Sequence, residues 1–204
     1  CDEIISQSNA HMAQSSVTLR DDHHGKNAKE FRTSTTHWLK SYGNPMVQNI
    51  DARVSNFTRV GVGHQEDVQV LRYQHGQRYD AHHDFFDPRH YNHADVVSAT
   101  EKGFRNRLLT VFWYMSEVTG GYTAFPIAHK DYHIATDPDP PCSHTLKVHP
   151  AKGKVILFYS VLADGSGDNL SQHRACPVVD GEKWAANKWV WTKDRTKIND
   201  VPTI

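Results

Sequence analysis

Hydrophobic residues follow one spacing in the first third of the chain and another in the rest. Over about residues 1–14 and 43–59, apolar positions recur three or four residues apart, which predicts two helices. The β-branched, polar stretch 31–36 between them predicts an extended segment. After Gly63, short runs rich in Val, Ile, Tyr, Phe and Trp alternate with Gly, Pro, Asp and Asn, which predicts strands.

Eight such runs follow one another without a helical pattern between them, which favours an antiparallel sandwich, barrel or jelly roll. We therefore expect a mainly β fold with N-terminal helices (α+β) in a single domain over 1–204, with helical support over about 1–62 and a β core over about 63–193. Two longer connections, about 87–107 and about 127–144, are candidate binding loops, the first as a lid. The runs lie at about 68–74, 77–86, 108–115, 121–126, 145–150, 154–160, 171–178 and 184–193.

Composition narrows the classes of function. Lys plus Arg and Asp plus Glu both number 23, so the formal charge is zero, and no basic stripe favours nucleic acid as a partner. No apolar run approaches the roughly 20 residues that cross a bilayer, so we expect no membrane insertion by the chain as given. Because the chain opens abruptly at Cys1, as if inside a helix, the sequence leaves open whether a leader or anchor lies upstream.

The three cysteines lack the CxxC spacing of zinc sites, which leaves free thiols or one bridge between Cys142 and Cys176 as alternatives.

Histidines carry the candidate chemistry. The chain has 15 of them, so a His-x-Asp triplet arises readily by chance, and three occur, at 82–84, 93–95 and 129–131. His82-His83-Asp84 lies in a predicted strand, where alternate side chains point to the same face and can reach one metal ion together. The other two triplets lie in the long connections, and we assign them to solvated loop surface.

A third ligand would complete a facial triad of two histidines and one carboxylate, which leaves three metal positions open. His173, near the start of a late predicted strand, is the best candidate. Further along, Lys183 can pair with a cosubstrate carboxylate through its ammonium group, although Gly181-Glu182-Lys183 is also typical of a surface turn. Spacing alone leaves two alternatives open, namely hydrogen-bonded strand residues without a metal, or a zinc site.

Longer motifs resemble the prolyl 4-hydroxylase family, most closely its plant and algal type. They occur in the family's order over roughly residues 31–192, which is far more specific than any triplet. The matches, each with the family pattern in brackets, are RTS at 32–34 (RTS), VLRYQHGQRYDAHHD at 70–84 (VLxYxxGQxYxxHxD), GGYTAFP at 120–126 (GGETxFP), PAKGK at 150–154 (PxKGxA) and HRACPVVDGEKWAANKW at 173–189 (HxxCPVxxGxKWxxxKW).

The resemblance implies a double-stranded β-helix, or jelly roll, and an Fe(II)- and 2-oxoglutarate-dependent dioxygenase. Such an enzyme uses O2 to hydroxylate peptidyl proline while 2-oxoglutarate is converted to succinate, with ascorbate as reductant. A proline-rich peptide or protein would be the substrate. The family's usual secretory placement, in the endoplasmic reticulum or Golgi lumen, would favour the Cys142–Cys176 bridge. We also expect a monomer.

Site residues can be carried over position by position. One departure is Tyr122, where the family usually has Glu; since neighbouring strand residues face opposite ways, this need not disturb Thr123. We assign Trp184 and Trp189 to the core. The resemblance implies that His82, Asp84 and His173 bind iron, that Lys183, Tyr73 and Thr123 bind 2-oxoglutarate, and that Tyr79 and Arg107 lie near the substrate.

Two rival functions stay open. A related 2-oxoglutarate oxygenase that acts on another residue or a small molecule would share the fold and the iron site, because substrate choice resides in loops. A catalytically silent peptide-binding module would keep the groove, although the full set of iron ligands and Lys183 argues against it. A zinc hydrolase is less favoured, since no Glu accompanies the histidine pair as in HExxH.

Overall fold

Antiparallel strands make up most of the computed structural model, which describes residues 1–128, 142 and 145–196. The helices in these residues are α1 (Asp2–Asn9), α2 (Ala28–Phe31), α3 (Pro45–Thr58) and α4 (Ala94–Ala99). The strands are β1 (Ala13–Gln14), β2 (Thr35–Leu39), β3 (Val68–Tyr73), β4 (Tyr79–His82), β5 (Arg107–Tyr114), β6 (Thr119–Gly120), β7 (Thr123–Phe125), β8 (Leu146–Val148), β9 (Val155–Tyr159), β10 (His173–Ala175), β11 (Val178–Asp180) and β12 (Lys183–Trp191).

The strands form a large sheet and a smaller one. The large sheet has the order β1-β2-β3-β12-β5-β9, and the smaller has the order β4-β10-β7-β8, while β6 and β11 pair separately. Successive strands pass between the two sheets, with β3, β5, β9 and β12 in the large sheet and β4, β7, β8 and β10 in the smaller. This arrangement confirms the predicted jelly roll.

Several predicted boundaries were wrong. The first helix ends at Asn9, not near residue 14, and β1 follows it. β1 and β2 extend the large sheet, so the first 62 residues add strands as well as helical support. The run predicted at 77–86 forms a strand only over β4, and the run at 171–178 is divided between β10 and β11. The connection predicted at 87–107 contains α4.

Alternation of side chains along β12 assigns each face of the large sheet a different role. Trp184, Ala186 and Val190 join a core cluster with residues of α1 and α3, so this face packs against the helices. Ala185, on the opposite face, joins a second cluster together with Ala175 of the smaller sheet. The interior between the sheets therefore lies on the side of the odd-numbered residues of β12. Trp184 and Trp189 are buried, as predicted.

Helix α3 places one charged side chain, Asp51, in the buried core between the helices and the large sheet. Asn44 caps the helix by accepting a hydrogen bond from the Val47 backbone, and Pro45 follows at the first helical position. Two turns further on, the Asp51 carboxylate forms an ion pair with Lys188 of β12, and both side chains are buried. Because each charge compensates the other in a region without water, the pair fixes α3 against the sheet.

None of the helices in the part of the chain that the structure describes is long and apolar enough to cross a membrane.

We expect Lys188→Met alone to lower the free energy of unfolding by about 3–5 kcal/mol, because it leaves the Asp51 carboxylate buried without a partner. The double substitution Lys188→Met with Asp51→Leu should recover most of that loss, since no uncompensated charge then remains. Urea denaturation of the three proteins measures both effects. Equal destabilisation of the single and double variants would contradict this account.

Candidate active site

Three metal-ligating side chains meet where β4 pairs with β10. His82 and His173 stand directly opposite each other in the register, with ring centroids 4.4 Å apart. The carboxylate of Asp84 lies 3.8 Å from Nε2 of His82 and 3.7 Å from Nε2 of His173. One ligand atom from each residue lies within 4.8 Å of the others, and no other group of this kind occurs within the described residues.

Backbone carbonyls hold both imidazole rings in the orientation that a metal requires. Nδ1 of His82 lies 2.8 Å from the Asp80 carbonyl oxygen, and Nδ1 of His173 lies 3.0 Å from that of Ser171. Because a carbonyl oxygen can only accept, Nδ1 carries the proton and each Nε2 keeps its lone pair for a ligand. Burial and the neighbouring His173 hold the pKa of His82 at about 3, so this ring stays neutral.

Asp84 supplies the negative charge of the cluster. It lies two residues past the end of β4 and is buried, and Thr110 of β5 donates a hydrogen bond to Oδ2 at 2.5 Å. Burial alone would raise the pKa of this carboxyl group. The adjacent histidines, Arg107 and the Thr110 hydroxyl outweigh burial and lower that pKa to about 2. The carboxylate is therefore ionised over the whole physiological range.

A cavity of about 330 Å³ opens beside the three ligands and extends to Lys183 at the start of β12. The Lys183 side chain is 1% exposed, and its Nζ has no hydrogen-bond partner among the described residues. Nζ instead lies 5.2–5.5 Å from the ring centroids of Tyr73, Phe112 and Tyr114. Burial lowers the pKa of Lys183 to about 7. The surface turn that the local sequence also allowed is therefore excluded.

Tyr73 and Thr123 line the same cavity. The hydroxyl of Tyr114 donates a hydrogen bond to Oγ1 of Thr123 at 2.7 Å, and burial raises the Tyr114 pKa to about 12. This end of the cavity thus combines an unpaired lysine with neutral hydroxyl groups. Such a set of donors suits a carboxylate.

Tyr79 lies against the metal ligands. Its ring stacks on that of His82 at 3.7 Å, and the Arg32 guanidinium lies 4.7 Å from the centre of the Tyr79 ring. Burial raises the pKa of the Tyr79 hydroxyl, so it remains a neutral donor. Arg32 is buried and donates hydrogen bonds to Ser34 and Gln69, which fixes the guanidinium and hence the ring beneath it.

Arg107 lines the cavity but is paired to the protein on one side. Its Nε and Nη2 donate to the two carboxylate oxygens of Glu66 at 2.7 and 3.1 Å, and its guanidinium lies 3.6 Å from the ring centre of Trp189. Nε1 of Trp191 also donates to Glu66, at 2.6 Å. Glu66 therefore orients a charged side chain that still borders the cavity.

The remaining predicted residues lie away from the metal ligands. His93 is half-buried, with Nε2 3.3 Å from Asp21, so it belongs to a contact between loops and not to open surface. His129 lies outside the described residues. The Tyr122 ring packs against His149 at 4.5 Å, whereas Thr123 faces the cavity.

A disulfide joins Cys142 and Cys176, which resolves the alternative left open by the cysteine pattern, and Cys1 is free and exposed.

Sequence reasoning did not single out Glu66, Thr110 or Tyr114. Each acts on another residue of the site through side-chain hydrogen bonding: Glu66 on Arg107, Thr110 on Asp84 and Tyr114 on Thr123. Thr110 and Tyr114 lie in the same strand, β5, on the face turned to the interior. Their even spacing was a usable signal once that face was known.

Comparison with known families agrees with this site. A family model described as the 2OG-Fe(II) oxygenase superfamily matches residues 68–191, which include every predicted ligand. The chain belongs to this superfamily. The matched segment begins at β3 and ends at β12, so it covers the jelly-roll core.

Curated relatives of this oxygenase include plant prolyl 4-hydroxylases. Prolyl 4-hydroxylase 2 of Arabidopsis thaliana is 35% identical over 204 residues, and the probable prolyl 4-hydroxylase 4 of the same plant is 36% identical over 196. The matches cover 97% and 93% of this chain but 65% and 62% of those relatives. The chain therefore spans less than two thirds of their length.

Solved structures show the same fold. The viral collagen prolyl hydroxylase of Paramecium Bursaria Chlorella virus-1, in a truncated form, has a TM-score of 0.61 at 23% identity, covering 95% of this chain and 83% of its own. A prolyl hydroxylase from Trichoplax adhaerens, in complex with a hypoxia inducible factor peptide, has a TM-score of 0.62 at 13% identity, covering 96% and 78%. At these identities the likeness establishes the jelly roll alone.

The side chains of this oxygenase fit its cofactors. His82, Asp84 and His173 provide the two-histidine, one-carboxylate set that suits iron(II). The unpartnered Nζ of Lys183, buried in the same cavity, fits an anionic group that is bound there. Tyr73 and Thr123 border that position.

We expect Lys183→Met to stabilise the ligand-free protein, with a margin that depends on pH. The Lys183 pKa falls from 10.5 to about 7 on folding. Below pH 7 the side chain is charged in both states and its burial is fully unfavourable, whereas between about 7 and 10.5 the folded protein has released a proton that the unfolded chain retains. The stability of the wild type should therefore rise towards that of the variant across this window.

Urea denaturation of both proteins at several pH values measures this margin. It should be largest below pH 7 and should shrink as the pH approaches 10. A margin that does not vary with pH would contradict the account.

Proposed function

We propose that this chain is an Fe(II)- and 2-oxoglutarate-dependent prolyl 4-hydroxylase that acts on proline-rich peptides or proteins. One observation carries the proposal: a buried lysine without a partner lies in the same cavity as a complete facial triad. Membership of the superfamily supports the cofactors, and the names of the curated relatives support proline as the target.

Each of the three proposed metal ligands would offer one atom of its own to iron. His82 and His173 each present Nε2, because their Nδ1 protons are engaged by backbone carbonyls. Asp84 presents an ionised oxygen and is held by Thr110. When bound, iron(II) together with 2-oxoglutarate and O2 supplies the oxidising chemistry that converts a prolyl C–H bond into an alcohol.

Lys183 and Thr123 would orient the cosubstrate. The Lys183 ammonium would pair with the carboxylate of 2-oxoglutarate that is farther from the metal, and that negative charge would restore the lysine pKa towards its ordinary value. The Thr123 hydroxyl accepts from Tyr114 and so has its own proton free to donate. Tyr73 would close the side of the pocket and exclude water from it.

Tyr79 and Arg107 would contact the substrate. Both border the cavity and both are fixed, Tyr79 by its contacts with His82 and Arg32, and Arg107 by Glu66. A polyproline II peptide has no internal hydrogen bonds, so its backbone carbonyls need donors from the groove. A phenol and a guanidinium provide such donors next to the metal ligands.

The wild type, supplied with iron(II), ascorbate, 2-oxoglutarate and a poly-proline peptide, should release succinate faster than it does without the peptide. Mass spectrometry should find one added oxygen for each modified proline. His173→Ala should abolish both signals, because it removes a metal ligand that no other described side chain replaces. Omission of ascorbate should shorten the productive phase of the wild-type reaction.

His149→Ala is the matched control, since His149 is exposed and borders no part of the cavity. Succinate release that does not respond to the peptide would point to a related oxygenase with another substrate. Absence of succinate from iron-loaded protein would contradict the oxygenase proposal and favour a silent peptide-binding module.

We also propose that the protein is a monomer in the secretory pathway, in the endoplasmic reticulum or the Golgi lumen. The Cys142–Cys176 disulfide supports an oxidising compartment. We expect a tagged full-length protein expressed in its own cells to co-localise with lumenal markers and to retain this disulfide when free thiols are blocked before lysis. A cytosolic distribution with both thiols reduced would contradict the proposal.

A further inference from the structure

Two segments outside the sheets border the cavity. Residues 16–20, between β1 and α2, line part of it, and so do residues 85–87 and 89–91 of the segment 85–91, which follows the metal ligand Asp84. We call these the first and second mouth segments. In the proposed function, a peptide would reach His82 and His173 past these two segments.

Asp21 joins the two mouth segments. Its backbone N–H donates to the carbonyl of His90 at 2.9 Å, and its carboxylate accepts from the backbone N–H of Asn92 at 3.0 Å and from Nδ2 of Asn92 at 2.7 Å. His93 adds a contact between its Nε2 and the carbonyl of Leu19 at 3.2 Å. These hydrogen bonds therefore hold the chain on both sides of residue 91.

Tyr91 lies between His90 and Asn92, the two residues that Asp21 holds, and it lines the cavity. Its ring packs edge-on against Phe86 at 5.3 Å, and the residue is half-buried. Burial raises the pKa of its hydroxyl group, so the hydroxyl stays protonated and neutral. Within the described residues the hydroxyl forms no hydrogen bond. A neutral donor is thus available at the mouth.

A proline-rich peptide requires such donors. Proline has no backbone N–H, and a polyproline II helix makes no internal hydrogen bonds, so each carbonyl that leaves water needs a partner from the groove. Tyr79 and Arg107 can serve carbonyls next to the reacting proline. The next residues of an extended peptide would lie towards the mouth, where Tyr91 is placed.

We propose that Tyr91 binds the peptide substrate by donating its hydroxyl proton to a backbone carbonyl, and that Asp21 positions it for that contact. The inference rests on the proposed function and adds to it a specific residue of the substrate groove. Tyr91 is a binding residue, whereas Asp21 acts only through the second mouth segment.

Direct binding tests this inference without turnover. The probe is a fluorescently labelled peptide of ten prolines, titrated against full-length protein loaded with Mn(II) and 2-oxoglutarate, and anisotropy gives the dissociation constant. Tyr91→Phe should weaken binding about three- to tenfold, which is the value of one net hydrogen bond. Tyr91→Ala should weaken it further, because the ring contact is also lost.

Two controls separate binding from folding. Tyr42→Ala replaces a tyrosine that is 96% exposed and should leave peptide affinity unchanged. The affinity of each variant for 2-oxoglutarate, measured by calorimetry, should match the wild type, because Lys183 and Thr123 are untouched.

A double-mutant cycle tests the role of Asp21. Asp21→Ala should weaken peptide binding by itself, but it should add little once Tyr91 is Phe, because both changes remove the same contact. Asp95→Asn, an exposed acidic residue of α4, is the matched control. Additive losses would show that Asp21 does not act through Tyr91.

The outcomes distinguish this inference from the proposed function. If Tyr91→Phe and Tyr91→Ala bind the peptide as tightly as the wild type while Arg107→Ala does not, the Tyr91 inference is wrong. The proposed contact of the peptide with Arg107 is then retained. If the peptide binds in a Tyr91-dependent way but is never hydroxylated, the inference holds and the proposed reaction fails. If the wild type binds no peptide, the inference is overturned.

Discussion

The antiparallel pairing of β4 with β10 is the constraint on which the site depends. It sets His82 directly against His173, and a shift of one residue in either strand would turn one imidazole to the opposite face of the sheet. The register is held by the pairing of β10 with β7 on its other side, where Ala175 stands opposite Thr123. The same strand therefore aligns His173 of the candidate metal site with Thr123, which lines the cavity beside it.

Two buried lysines on one strand show how differently the two faces of the large sheet are used. Lys188 faces the helices and is neutralised by Asp51, which makes it part of the packing between α3 and the sheet. Lys183 faces the interior, has no partner there among the described residues and has a lowered pKa. An unpaired buried amine is unfavourable by itself, and an anionic ligand, as proposed, would compensate it.

The sequence was sufficient for the parts of the molecule that regular structure determines. Short runs rich in β-branched and aromatic residues predicted the strands, and motifs in family order supplied the triad and Lys183, which lie in or next to strands. The ends of elements were less predictable: Asp84 lies beyond β4, where its direction depends on Thr110 from another strand. The first helix ended early because residues after Asn9 pair with β2 through β1, a long-range contact that local periodicity does not record.

Two of the contacts that sequence reasoning missed join segments that are distant in the chain. Glu66 and Arg107 are 41 residues apart, and Asp21 and Asn92 are 71 apart. Neither pair lies in a motif with a fixed spacing, so only the fold brings them together. The two histidines of the site therefore lie on strands whose register is fixed, whereas the proposed groove also includes loops that depend on side-chain pairs. Because those pairs can change without disturbing the strands, this division lets the oxygenase scaffold keep its iron chemistry while its substrate contacts vary.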